Sequence, residues 1–160
     1  MPQQSSPLVA ILFSLVCLDC SGDIAGVEIK SMSVPRVVQS GAEDHVVLDC
    51  DYDLNEKEAR QVDVKWFFND DNQPFFQWIP GRKPQTIGDL FENKLDLTFK
   101  AREGTDEWYK EHRSIKIIRP TAELSGTYRC KVSSFVDEDV MQREMLVFGR
   151  AKTKKNDFNG

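Results

Sequence analysis

The chain has 160 residues, a net charge of -5 and a pI near 5.1. That length holds one ordinary domain. A composition of 40% hydrophobic and 29% charged residues with 9 Gly and 7 Pro excludes a collagenous, low-complexity or wholly disordered chain. The acidic balance argues against nucleic acid as a partner, and four Cys beside two His leave little material for a zinc site.

Charge is unevenly spread. Residues 1–22 carry one acid, Asp19, and the last eleven carry Arg150, Lys152, Lys154 and Lys155 against Asp157, a local +3, which leaves -7 on residues 23–149. The opening segment reads as an address. Residues 8–18 (LVAILFSLVCL) are apolar and uncharged. They are too few to span a bilayer, which takes roughly 20 helical residues, but they fit the hydrophobic region of a secretory signal peptide. Cys20 and Gly22 are small residues placed for cleavage before Asp23, although Met1 to Pro7 contain no Lys or Arg. Residues 1–22 are therefore expected to be a removed signal peptide, 23–149 the folded domain, and 150–160 a basic flexible tail. Contact of that tail with anionic glycan or lipid is the alternative to a frayed, solvated end. No other segment is apolar enough to span a membrane, so the chain is expected to be secreted or held at the cell surface by something else.

Loss of the leader removes Cys17 and Cys20 and leaves Cys50 and Cys130 in an oxidising compartment, where an even number reads as one disulfide. Closing so long a loop contributes about 4 kcal/mol in the chain-entropy model. No Asn-x-Ser/Thr occurs, so no N-linked glycan is expected.

Strand signals follow in chain order. Val46, Leu48 and Cys50 share one face by the two-residue period. Residues 55–60 have one helical turn as an alternative and are treated as loop. Val64, Trp66 and Phe68 alternate with Asp63, Lys65 and Phe67, and residues 75–79 (FFQWI) form the next strand. Leu95, Leu97 and Phe99 alternate, as do Ile115 with Ile117 and Tyr128 with Cys130 and Val132. Turn residues at 40–42, 69–72, 80–81 and 125–126 separate these runs. Short strands at this spacing without a long helix indicate an all-β, two-sheet sandwich.

Cys50, then Trp66 sixteen residues on, then Tyr128-Arg129-Cys130, resembles the Cys…Trp…Tyr-x-Cys arrangement of the immunoglobulin fold. The resemblance implies a Greek-key sandwich with Trp66 and Tyr128 in its core. The long gap between the cysteines leaves room for the C′ and C″ strands of a variable-type domain. Leu124 stands where such domains often carry an Asp paired with an Arg, so the corner is expected to rely on Tyr128 and packing. More narrowly, the runs at 64–68 (VKWFF), 75–80 (FFQWIP) and 125–133 (SGTYRCKVS) resemble the first immunoglobulin domain of the insect beaten-path proteins, over residues 34 to 148. The charged stretch 100–112 departs from that pattern, as does the lack of a second domain. The resemblance implies a secreted or tethered protein that binds immunoglobulin-superfamily receptors during axon guidance and synaptic wiring.

Chemistry is sparse. Neither His45 nor His112 has a Gly-framed Ser or a free Cys beside it, and both are expected to be solvated. No phosphate-binding loop or His-x-Glu motif occurs. The runs Asp70-Asp71 and Asp137-Glu138-Asp139 are too short to supply the oxygens of a calcium site. No enzyme, metal or cofactor is expected.

A binding face is better supported. With Trp66 and Cys130 facing in, Lys65, Phe67, Arg129 and Lys131 face out. Phe75 and Trp78 are candidates for the same partner-binding surface, although an F-F-x-W run leaves open which of its aromatics turn inward. Aromatic and Arg residues are enriched at protein interfaces. The favoured partner is an immunoglobulin-superfamily receptor. The alternatives are a soluble immune or pathogen-binding module, reading through loops such as residues 134–139, and an extracellular-matrix component.

Overall fold

The computed structural model describes residues 26–101 and 106–149. The expected leader, the basic tail and part of the charged stretch 100–112 lie outside the described residues. Nine strands form among them: β1 (Glu28–Ser33), β2 (Val37–Gln39), β3 (His45–Asp53), β4 (Asp63–Phe68), β5 (Phe76–Trp78), β6 (Gln85–Thr86), β7 (Ile115–Ile118), β8 (Gly126–Ser133) and β9 (Glu138–Phe148). One sheet has the order β1-β3-β7 and the other β2-β9-β8-β4-β5-β6. Every pairing is antiparallel except that of β2 with β9. This is the expected all-β, two-sheet sandwich of variable type, with β5 and β6 as its two added strands. No described helix is long and apolar enough to cross a membrane.

The core follows from alternation. Val46, Leu48, Cys50 and Tyr52 of β3 are buried, and Val64 and Trp66 of β4 and Tyr128, Cys130 and Val132 of β8 meet them from the other sheet. Cys50 and Cys130 are bonded, with their Cα atoms 6.5 Å apart. Trp66 lies directly opposite Cys130 in the β4–β8 register. Its indole N–H donates to the Arg113 carbonyl at 3.2 Å, so the polar end of a fully buried ring is satisfied. The Tyr128 hydroxyl donates to the Leu124 carbonyl at 2.7 Å, while the Leu124 side chain is itself buried. Burial pushes the Tyr128 phenol well above its ordinary pKa. The corner rests on the tyrosine and on packing of Leu124, as expected, but not on these alone: the adjacent Glu123 carboxylate pairs with Lys94 and accepts the Thr121 hydroxyl, an exposed ion pair that the expectation left out.

Gly126 opens β8 because nothing larger fits. A Cβ there would lie 2.2 Å from Asn69 Oδ1 and 2.8 Å from the Phe68 ring. Asn69, at a positive φ of 54°, uses that oxygen to accept the Thr127 N–H at 3.0 Å and so closes the β4 end against β8.

Four sequence expectations need correction. Residues 95–99 are not a strand but make one isolated bridge, between Leu95 and Ile117. Asp96 Oδ1 accepts the Thr98 N–H at 3.1 Å and the Thr98 hydroxyl at 2.6 Å, a local turn that competes with ladder pairing. Of residues 55–60, expected as loop, 56–60 lie in a 3-10 helix, Glu56–Gln61, and Asn55 caps it by accepting the Lys57 N–H. His112, expected to be solvated, is buried edge-on against Trp78, with Nδ1 2.7 Å from the Phe99 carbonyl.

The fourth correction concerns the aromatics of residues 75–78, all of which are buried. Pairing of Trp66 with Phe76 and of Val64 with Trp78 fixes the latter two inward. Phe75 precedes β5, so the pleat does not dictate its side; its ring stacks on Phe91 at 3.8 Å and meets Tyr128 edge-on. Phe75 and Trp78 therefore belong to the core and not to a partner-binding face.

Replacing Trp66 by Ala is expected to cost about 3–5 kcal/mol, the range for removing a buried aromatic. Chemical denaturation of the disulfide-intact protein measures it, and a variant as stable as the parent contradicts the placement of this ring.

Candidate binding surface

The outer face of the six-stranded sheet is built from residues one step out of phase with the core. Its rungs follow from strand register. Asp63 pairs with Ser133 and Ser133 with Glu138; Lys65 pairs with Lys131 and Lys131 with Val140; Phe67 pairs with Arg129 and Arg129 with Gln142. The pleat thus brings Lys65, Phe67, Arg129 and Lys131 together as expected. Like charges directly opposite on neighbouring strands are unfavourable. Here each lysine is offset by a carboxylate one rung above: Lys65 by Asp63 at 2.6 Å and Lys131 by Glu138 at 2.5 Å. The Gln77 amide, opposite Lys65, donates to both Asp63 oxygens at 3.0 Å and holds that carboxylate in place. The face therefore carries an acidic edge and a cationic belt below it.

Phe67 departs from expectation. It points away from the core cluster, yet it is only 7% exposed. The Arg129 guanidinium lies 4.7 Å from its ring centroid and is held there by a hydrogen bond to the Asp71 carbonyl at 3.2 Å. A cation over an aromatic face is attractive, so Arg129 roofs Phe67. What a partner meets at this place is the planar guanidinium rather than an open ring.

The exposed apolar groups lie elsewhere. Between β8 and β9, Phe135 is 84% and Val136 70% exposed. The turn that carries them is closed by the Ser134 N–H donating to the Asp137 carbonyl at 2.8 Å. The Ser134 hydroxyl oxygen accepts the N–H groups of Val136 and Asp137, each at 3.3 Å. Just beyond it, Asp139 accepts the Ile29 N–H at 2.8 Å and ties the hairpin to β1. Val140, opposite Lys131, is exposed on the same outer face. Val37, Leu146 and Phe148 are exposed toward the far end of that face, where Val37 pairs with Leu146. The signal for the tip was present in the sequence: a Phe-Val pair set between two serines and three acids, where turns usually place polar residues.

A second charged cluster covers the outside of the other sheet and is structural. Asp49, Asp51 and Asp53 project outward from β3 at alternate positions. Arg113, itself buried, pairs with Asp49 at 2.9 Å and 3.0 Å and with Asp51; Lys110, also buried, pairs with Asp53 at 3.0 Å and Glu107 at 2.8 Å. Burial pulls the Lys110 ammonium down, but its hydrogen bonds to Glu107 and Asp53 outweigh that and leave its pKa above the ordinary lysine value. Ser114 adds a hydrogen bond to Asp49, and the Tyr52 hydroxyl donates to the Tyr109 carbonyl. Among the described residues no group of three His, Cys, Asp or Glu is placed to hold a metal ion.

Against known proteins, a family model described as immunoglobulin domain matches residues 37–142. No curated protein matches the chain in sequence. Among solved structures, a crystal structure of the human B7-H4 IgV-like domain is 13% identical, with a TM-score of 0.53 over 78% of this chain and 96% of that one. An amphioxus IgVJ-C2 molecule is 16% identical, with a TM-score of 0.48 over 69% of this chain and 54% of that one. The tandem Ig repeats of Dlar are 15% identical, with a TM-score of 0.49 over 78% of this chain and 47% of that one. The chain spans about half the length of these last two. At such identities the likeness is one of fold alone.

Two stability outcomes follow from the geometry of this face. Phe67→Ala is expected to cost about 2 kcal/mol, because a shielded ring leaves. Lys65→Glu and Lys131→Glu are each expected to cost less than about 1 kcal/mol, the worth of a half-exposed ion pair. Thermal unfolding of the three variants checks the order.

Proposed function

The chain belongs to the immunoglobulin-domain family, and from that premise we propose that it is an extracellular recognition module that binds a cell-surface receptor of the immunoglobulin superfamily in axon guidance or synaptic wiring. The family and the Cys50–Cys130 bond support protein binding outside the cell, since such a bond persists in an oxidising compartment. The receptor class comes from the likeness of the runs at 64–68, 75–80 and 125–133 to beaten-path domains. The observation that carries the choice of surface is the cationic belt of Lys65, Lys131 and Arg129, assembled on an otherwise acidic body. Directly opposed lysines do nothing for the fold that neutral residues would not do better. They suit an acidic partner surface, with the Arg129–Phe67 stack as a planar, preorganised contact beside them.

An array of recombinant extracellular domains of immunoglobulin-family receptors tests this reading. The expected result is a partner whose association is slowed, with altered salt dependence, by Lys65→Glu and Lys131→Glu. Arg129→Ala is expected to weaken binding by about 2 kcal/mol or more. Variants that bind as the parent does, or an array with no partner, overturn it. The secretory leader belongs to the same reading: mass spectrometry of the medium is expected to find a chain beginning near Asp23, and an intact Met1 contradicts it.

A further inference from the structure

The apolar tip of the β8–β9 hairpin has a complement on the same chain. A groove of about 630 Å³ lies between the turn joining β5 to β6 and the segments around residues 97–100 and 111–112. Pro84 and Leu97 line it with His112, and Arg82, Lys83 and Lys100 supply positive charge. Lys100 pairs with Glu111 at 2.5 Å. Arg82 and Lys83 are exposed and make no ion pair among the described residues. The tip has the opposite character: Phe135 and Val136 are followed directly by Asp137, Glu138 and Asp139. Those acids also oppose insertion of the tip into an anionic bilayer.

Register places tip and groove at one end of the sandwich. Ser133, the last residue of β8, pairs with Asp63, the first of β4, and Trp78, the last of β5, pairs with Val64. The β8–β9 turn and the β5–β6 turn therefore emerge on the same side. They are about three strand spacings, or ~14 Å, apart. A chain cannot seat its own rigid tip in its own groove across that width, but two chains related by a two-fold axis can exchange both contacts.

We infer that two copies of this chain pair end to end as a symmetric dimer, each seating Phe135 and Val136 in the other's groove with Asp137 facing Arg82 and Lys83. Each Phe covers about 150–250 Å² when buried. Two such tips reach only the low end of specific interfaces, below about 1,200 Å², so the dimer is transient. This pairing is independent of the receptor reading, and its test needs no receptor.

Sedimentation velocity of the secreted chain, from low micromolar to near-millimolar concentration, provides the test. The parent is expected to show a monomer–dimer equilibrium that weakens at ~1 M salt, where the screening length falls to about 3 Å. Phe135→Ser, and separately the double change Arg82→Glu with Lys83→Glu, are each expected to raise the dissociation constant at least tenfold without shifting thermal unfolding. Val136→Ser replaces the first variant if it is poorly secreted. Mixing the tip variant with the groove variant restores one intact contact, so a heterodimer is expected where neither variant self-associates. A parent chain that stays monomeric overturns the inference and leaves the tip to a different protein. So does a tip variant that dimerises like the parent, or a mixture that stays monomeric.

Discussion

The bond between Cys50 and Cys130 joins β3 to β8 across the sandwich and sets the depth at which everything else packs. Sheets with inward Val, Leu and Tyr side chains attract each other without direction. A covalent tie between particular rungs fixes which residues face one another. Trp66, opposite Cys130, then has a single place to lie, and its N–H finds the Arg113 carbonyl. Tyr128, two residues before Cys130, reaches the Leu124 carbonyl from the same strand face. The tie spans 80 residues, so it also removes much of the freedom of the unfolded chain.

Arg113 links this core to the outer surface of the smaller sheet. Its carbonyl serves Trp66 while its guanidinium holds Asp49 and Asp51. Beside Leu124 the Glu123 carboxylate is taken by Lys94 and does not serve the Arg113 guanidinium. The cation is instead satisfied by the outward aspartates of β3. With Lys110 it forms a clamp that draws the segment before β7 against the end of β3. Buried cations are tolerated because each has carboxylate partners within hydrogen-bond reach.

The larger sheet uses charge differently. Its lysines and acids are paired through single contacts on a half-exposed face, which contribute little to stability. Charge arranged this way is available to a partner. Arg129 is the exception, since its stack on Phe67 removes an aromatic ring from solvent and fixes a guanidinium in place. The tip of the β8–β9 hairpin gains its order from backbone turns and from the Asp139 anchor rather than from burial of its own side chains. That leaves two large apolar groups in water on a rigid mount.

The sequence alone determined the disulfide, the two-sheet class, the inward phase of Trp66, Tyr128 and their neighbours, and the outward phase of Lys65, Phe67, Arg129 and Lys131. The two-residue period assigns residues to shared faces and the cysteine count gives the bond, while the choice of the Trp66 and Tyr128 face as the inner one is what the immunoglobulin resemblance implies. Tertiary structure decided what covers each outward residue. Phe67 is roofed by Arg129, which stands opposite it only after β4 pairs with β8. Phe75 lies one residue outside a strand, where the pleat gives no instruction, and Phe91 captured its ring. The clamp on Asp49, Asp51 and Asp53 joins residues 57 to 64 positions apart, and no local pattern encodes that meeting. Alternation specifies direction along a strand, while burial is set by whichever distant segment arrives on that side.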